Sequence, residues 1–215
     1  MTKVIYPING RNERIGKLFK TPKHLLRYKG EVALQDSVQY MSQFGEVTIL
    51  CRPEYYDDIF KLTDSPYFKP DIFQAKESDS VIDTVRQINC LSSTGVWFVD
   101  CDVIPIKLNP PKGNTAYLFR NDKKLKHYSN FTIRDGYVLE ANEKSQLSEW
   151  AGSGVYYFTY AESIYDFAAS CKTFAQVINK MCAHVHLHPE DTYMKVKADT
   201  TSEIFRFGTL EDITG

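Results

Sequence analysis

The chain has 215 residues, enough to bury a core without disulfide or metal staples. Hydrophobic residues make up 43% and charged residues 25%, an ordinary globular composition, and the net charge of −1 excludes a general nucleic-acid binder, which would be basic overall. No run approaches the ~20 apolar residues of a membrane span, and five cysteines without a C-x-x-C argue against a disulfide framework or structural zinc.

Met1-Thr2-Lys3 leads directly into a strand-like run with no apolar signal region or cleavage site, so a cytoplasmic location is expected. Residues 3–8 read as a buried strand, followed by a loop from Asn9 to about Lys29. Val32, Leu34, Val38, Met41 and Phe44 fall at helical spacing, and Gly45 ends that helix. A second strand covers 46–51, Pro53 opens a helix to about Leu62, and 71–74 reads as a short strand. Ser78-Asp79-Ser80 caps a helix expected to reach about Leu91, and Gly95–Val99 is an apolar strand ending at Asp100-Cys101-Asp102. This alternation indicates an α/β domain with a mixed, mostly parallel sheet flanked by helices.

After Thr115 the texture becomes more β-like, with runs at 115–120, 130–134, 137–141 and 155–158, and Asp135-Gly136 is a hairpin signal. Helices are expected at 162–170 and 173–183 and a last strand at 203–209. One domain is expected over residues 1–215, with a first half to residue 110 and a second half, 111–215, built around the hairpin.

In parallel sheets ligands bind beyond the carboxyl ends of the strands. The loop after the first strand carries Gly10, Arg11, Arg14, Lys17, Lys20 and Lys23 against one acid, Glu13, a composition suited to phosphates. It is neither a Walker A loop, because Leu18 follows Gly16-Lys17, nor G-x-G-x-x-G, because Asn12 stands at the second glycine. A solvated basic surface loop is the competing reading. Asp100 and Asp102 could share Mg²⁺ or Mn²⁺, hard cations that prefer oxygen; a polar strand end is the alternative. If the strands before them are parallel, this pair and the basic loop face one crevice. Together they suit a nucleoside triphosphate, which needs cations for its oxygens and carboxylates for its metal. Glu143-Lys144 alone reads as an exposed ion pair. His184, His186 and His188 alternate as on one side of an edge strand or loop, and aligned imidazoles are also a zinc pattern.

Taken together, these segments resemble the sugar nucleotidyltransferases (sugar-1-phosphate nucleotidylyltransferases), which have a Rossmann-like GT-A fold. The family opening, A-A-G-x-G-[ST]-R-[LMF] followed by P-K, is similar to Ile8-Asn9-Gly10-Arg11-Asn12-Glu13-Arg14-Ile15 and Pro22-Lys23. Asp102 ends the fourth strand as the family's metal Asp does. Gly136-Tyr137-Val138, Glu143-Lys144 and Ala151-Gly152-Ser153-Gly154-Val155-Tyr156 resemble its later hairpin and strand, and Arg206-Phe207-Gly208-Thr209 its closing motif.

The resemblance implies an enzyme that couples a nucleoside triphosphate to a small phosphorylated acceptor and releases pyrophosphate, for surface polysaccharide synthesis, without nucleic acid or membrane as partner. It implies that Asn9, Gly10, Arg11 and Asn12 wrap the nucleotide and that Asp79 and Ser80 lie where the base is read. Arg14 and Lys23 would hold the triphosphate, Asp102 with Asp100 would hold Mg²⁺, and Glu143, Lys144 and Gly154 would meet the acceptor. Arg206 stands where the family has a second metal-binding Asp, leaving Asp100, Asp191 or Asp199 as replacements. A GT-A glycosyltransferase, which also uses D-x-D, and a non-catalytic nucleotide-binding module are the competing functions.

Overall fold

The computed structural model describes residues 2–9, 21–28, 30–66, 69–88, 94–123, 125, 127–143 and 148–207. In chain order the first half contains β1 (Lys3–Ile8), β2 (Arg27–Tyr28), β3 (Glu31–Val32), α1 (Ala33–Met41), β4 (Glu46–Cys51), α2 (Tyr56–Thr63), β5 (Asp71–Gln74), α3 (Val81–Val85), β6 (Val96–Val99) and β7 (Val103–Lys107). The second contains β8 (Asn114–Arg120), β9 (Asn130–Arg134), β10 (Tyr137–Asn142), β11 (Trp150–Phe158), α4 (Glu162–Ala168), α5 (Phe174–Leu187), β12 (Val196–Asp199) and β13 (Glu203–Arg206).

Nine strands form one sheet in the order β5-β4-β1-β6-β11-β8-β12-β10-β9. The first four pair in parallel, with Ile5 opposite both Thr48 and Phe98. Their alternating side chains feed two cores. Val4, Tyr6, Ile49, Trp97 and Val99 pack with α1 and α2 on one face. Ile5, Leu50, Val96 and Phe98 join residues of α3, α4 and α5 in the other. A sheet covered on both faces explains why β1 and β6 read as continuous apolar runs. Tyr6 on β1 keeps its buried hydroxyl satisfied by Ser37 on α1, 2.9 Å away.

The helices follow the expected spacing, with two changes of length. Leu34, Val38 and Met41 are the buried stripe of α1. Ser80 caps α3, but the α-helix ends at Val85, short of Leu91. Thr173 and Gln176 form a reciprocal capping box at the start of α5, which runs on to Leu187. His184 and His186 therefore lie on a helix and His188 is its C-cap, so the edge-strand reading of this trio is corrected: alternate residues on a helix do not share a face.

The second half of the sheet is not mostly parallel. β11 is antiparallel to both β6 and β8, β10 is antiparallel to β12 and β9, and only β12 with β8 is parallel. β9 also pairs back to β11 at Asn130 and Ala151, closing β11, β8, β12, β10 and β9 into a ring. The Asp135-Gly136 hairpin forms with φ of 52° and 78°, the left-handed pair that a two-residue turn requires, and it belongs to this ring rather than to a separate subdomain.

Four short strands were not legible: β2 and β3, which pair with each other, and β12 and β7. β12 reads Val-Lys-Ala-Asp and takes its place by pairing with β8 and β10. β7 contains Pro105 and, among the described residues, pairs only with β13, the edge arrangement that tolerates proline. No helix among the described residues is long and apolar enough to cross a membrane.

Candidate active site

Because β1 and β6 are parallel, Asn9 and the Asp100–Asp102 turn emerge at the same sheet edge. The turn is pinned on two sides. The Asp100 N–H donates to the Gly154 carbonyl at 2.9 Å, and the Phe207 N–H donates to the Asp102 carbonyl at 3.0 Å. One bond goes to β11 and the other comes from the end of β13, so two separate elements of the second half fix the acidic pair.

Lys23 reaches this turn from the loop after β1. It opens a short 3-10 turn, Lys23–Leu25, preceded by Pro22 in an extended conformation. Its Nζ donates to Asp102 Oδ2 in an ion pair whose side chains are 27% and 12% exposed, shielded enough for the charges to interact strongly. Burial pulls the Lys23 ammonium pKa down, but Asp102, Cys101 and Asp100 outweigh it and the net shift is upward. Burial pushes the Asp100 carboxyl up to about 7, with Asp102 and Glu143 adding to the rise and Lys23 opposing it. The Cys101 thiol, between the two acids, is raised by burial and by Asp102, which makes it a poor nucleophile.

Gly154 forms the floor beside Asp100. It sits at the register shift between β11 and β8 with φ of +86°, and a Cβ there would lie 2.8 Å from Asp100 Oδ2. Glu143 approaches from the end of β10, where Ser129 Oγ donates to its Oε1 at 2.7 Å. Burial raises the pKa of Tyr156, and the charges of Asp100 and Glu143 add to it, so the carboxylates of the two halves act on one ring.

Arg206 pairs with Val103, one residue beyond Asp102, through the β13–β7 ladder. Its guanidinium carbon lies 2.9 Å from the centre of the Phe119 ring and 5.0 Å from that of Tyr128. The side chain thus covers an aromatic wall next to the acidic turn. Of the other carboxylates considered as replacements, Asp191 lies 2.7 Å from His184 Nε2, and Asp199 accepts from Asn109 and from the N–H groups of Thr201 and Ser202.

Asn9 is buried and ties β1 to the segment before α3. Its Nδ2 donates to the Lys76 carbonyl, Ser78 Oγ and Thr84 Oγ1 at 2.8, 3.0 and 3.1 Å, while its Oδ1 has no hydrogen-bond partner among the described residues. Ser80 is buried and its hydroxyl bonds both the N–H and the carboxylate of Asp83; Asp79 beside it is exposed. Gly10, Arg11, Asn12, Arg14 and Lys144 lie outside the described residues.

Lys23, Asp100, Asp102, Gly154 and Glu143 are therefore brought together. Ser129, Phe119 and Tyr128 join them without having been singled out. The aromatic and polar run His127-Tyr128-Ser129-Asn130 before β9 was the one signal available.

Among the described residues no three His, Cys, Asp or Glu side chains are placed to share a metal ion. Mg²⁺ asks for less, because it takes one or two carboxylates and completes its shell with water and phosphate oxygens. Asp100 and Asp102 supply two carboxylates of that kind, and the missing Cβ of Gly154 is what lets the Asp100 carboxylate pack against β11.

No protein-family model and no curated protein sequence matches this chain. Solved structures do. A nucleoside-diphosphate-sugar pyrophosphorylase from Vibrio cholerae RC9 superposes with a TM-score of 0.73 at 14% identity over 98% of both chains. The inositol-1-phosphate CTP transferase from T. maritima gives 0.73 at 12% identity over 98% of this chain and 90% of that one. A UDP-glucose pyrophosphorylase complexed with UDP-glucose gives 0.73 at 13% identity over 99% and 95%. At such identities the likeness is one of fold, and it spans essentially the whole of each chain: this protein has the mixed α/β fold of the sugar nucleotidyltransferases.

Proposed function

We propose that the protein is a nucleotidyltransferase that joins a nucleoside triphosphate to a sugar 1-phosphate or a related phosphomonoester and releases pyrophosphate. The observation that carries this reading is the Lys23–Asp102 ion pair at the carboxyl edge of the parallel strands, with Glu143 brought toward it from the opposite half. A cation, two carboxylates and a third acid across the crevice suit a triphosphate on one side and a hydroxylated phosphate ester on the other. The fold supports a GT-A description, with residues 1–110 serving the nucleotide and 111–215 the acceptor.

In the reaction an acceptor phosphate oxygen attacks the α-phosphorus in line. The new P–O bond forms as the α–β bridge breaks, and pyrophosphate leaves with the bridging oxygen and its electron pair. Little side-chain proton transfer is required, so positioning and charge stabilisation carry the rate. Lys23, with Arg14, neutralises the triphosphate. Glu143, oriented by Ser129, accepts hydrogen bonds from acceptor hydroxyls. Asp102 and Asp100 would hold Mg²⁺ or Mn²⁺, which supplies Lewis-acid charge neutralisation at the phosphates when bound. An activated product of this type suits the cytoplasmic supply of a surface polysaccharide.

The test is a pyrophosphate-release screen that crosses four nucleoside triphosphates with sugar 1-phosphates and other phosphomonoesters, with Mg²⁺ present. Release with at least one pair, lost in both Arg14→Ala and Asp102→Ala, is expected. Activity surviving both substitutions overturns the residue assignment. Transfer from a nucleoside-diphosphate sugar without pyrophosphate would make the protein a glycosyltransferase instead.

A further inference from the structure

We propose that Lys23 is a built-in counter-ion that keeps a free divalent cation off Asp102, so that the metal is admitted only together with a triphosphate. The inference deepens the nucleotidyl-transfer reading above and rests on it for the metal and the triphosphate; the gating contact is the Lys23–Asp102 bond.

That bond gives Asp102 a cationic partner from within the chain. Lys23 Nζ donates to Asp102 Oδ2, and both side chains are shielded enough that salt screens the pair weakly. The two oxygens of one carboxylate are close neighbours, so an ammonium bonded to one repels a divalent ion approaching the other. The charge also reaches the second acid. Burial and Asp102 raise the Asp100 pKa and Lys23 opposes them, so both carboxylates considered for the metal feel the ammonium.

The backbone on each side of the pair is tied down. The Asp102 carbonyl accepts from the Phe207 N–H, and the Asp100 N–H donates to the Gly154 carbonyl. On the other side the Leu25 N–H donates to the Pro22 carbonyl at 2.9 Å and the Leu26 N–H to the Lys23 carbonyl at 3.2 Å. His24 is fully buried against Tyr55, and the Leu26 carbonyl accepts from the Ala33 N–H at 2.9 Å. The main chain under Lys23 is thus joined to the start of α1. Separating the pair falls to the flexible four-carbon stem of Lys23.

Two kinds of ligand offer that stem different exchanges. A free divalent ion competes for Asp102 and leaves a partly shielded ammonium without its counter-charge, which is unfavourable. A triphosphate offers oxygens to the ammonium and carries its own cation to the carboxylate. Lys23 therefore lowers the affinity of the acidic turn for metal alone and raises it for the metal–triphosphate complex.

The experiment measures Mn²⁺ binding to the full chain without nucleotide, by electron paramagnetic resonance of the free ion, with circular dichroism to verify folding. It compares the wild type, Lys23→Met, and Lys23→Met combined with Asp102→Asn. Lys23→Met removes the charge and keeps the stem, and it binds Mn²⁺ about 10-fold more tightly than the wild type, or better. The double variant loses that gain, which assigns it to Asp102 rather than to a change in net charge. Equal or weaker Mn²⁺ binding by Lys23→Met, or a gain that persists in the double variant, overturns the proposal. If Lys23→Met does not fold, Lys23→Gln takes its place with the same expected gain and the same overturning results. Absence of Mn²⁺ binding in every protein overturns the proposal together with the metal assignment. Mg²⁺-dependent pyrophosphate release alongside equal Mn²⁺ affinities of wild type and Lys23→Met overturns this inference alone. A gain in Lys23→Met that Asp102→Asn abolishes, with no pyrophosphate released from any substrate pair, supports the counter-ion role and sinks the reaction.

Discussion

Lys23 donates to Asp102 across 79 residues of sequence, bringing a cation of the segment before β2 onto the acidic turn. The pair holds against each other the cation proposed to bind phosphate and the carboxylate proposed to hold the metal. In the proposed reaction Lys23 would turn to the triphosphate and Asp102 to its metal, so both partners would keep a counter-charge.

Removing one partner therefore has two separable effects. Lys23→Ala leaves Asp102 shielded and unpaired, which costs about 1–3 kcal/mol in a urea unfolding experiment. It also lowers pyrophosphate release by about 100-fold or more, the scale of a lost charge-stabilising donor. Asp102→Asn gives a similar rate loss, and the double variant loses much less than the two rate losses combined, because both act on the same phosphates.

Gly154 is the second sensitive point. Gly154→Ala forces a Cβ to within 2.8 Å of Asp100 Oδ2 on a backbone with φ of +86°. Left-handed strain together with displacement of Asp100 costs about 1–3 kcal/mol and reduces turnover. Gly30→Ala is the control. Its φ is +94°, but among the described residues nothing lies within 4 Å of the added Cβ, so it bears the backbone cost alone and leaves turnover near wild type. Equal turnover in the two variants contradicts a role for the Asp100–Gly154 contact.

His24, next to Lys23, makes stability depend on acid. It is fully buried against Tyr55, and neither ring nitrogen has a hydrogen-bond partner among the described residues. Burial lowers its pKa to about 4 from 6.5, partly opposed by Asp58. Between those values the unfolded chain binds a proton that the folded chain does not, so stability falls as pH falls from about 6.5 to about 4. The contribution is on the order of 3 kcal/mol. His24→Phe removes this slope, and urea midpoints at pH 7 and pH 5 measure it. An unchanged difference between the two pH values contradicts the assignment.

The parallel half of the fold was legible because β1, β4 and β6 are largely buried and alternate with amphipathic helices. Lys3–Ile8, Glu46–Cys51 and Asp71–Gln74 lie where the sequence puts them. The second half was less legible. β12 owes its existence to neighbours distant in sequence, and closure of the ring at Asn130 and Ala151 leaves no periodic trace. The acidic turn and Lys23 could be read as chemistry, and the structure brings them together. Ser129 and the Phe119–Arg206 contact could not, since a serine and an aromatic residue carry no functional signal until folding places one against Glu143 and the other against Arg206. The histidine trio misled because alternation is a strand pattern, whereas the Thr173–Gln176 capping box starts a helix that runs through it.

The most direct test of nucleotidyl transfer is the product stoichiometry for the active substrate pair, followed by ³¹P NMR with Mg²⁺ present. The account predicts one pyrophosphate for each nucleoside-diphosphate-linked acceptor formed, with both signals absent in Asp102→Asn. A nucleoside diphosphate appearing without pyrophosphate, or no change with any triphosphate and phosphomonoester, would contradict it.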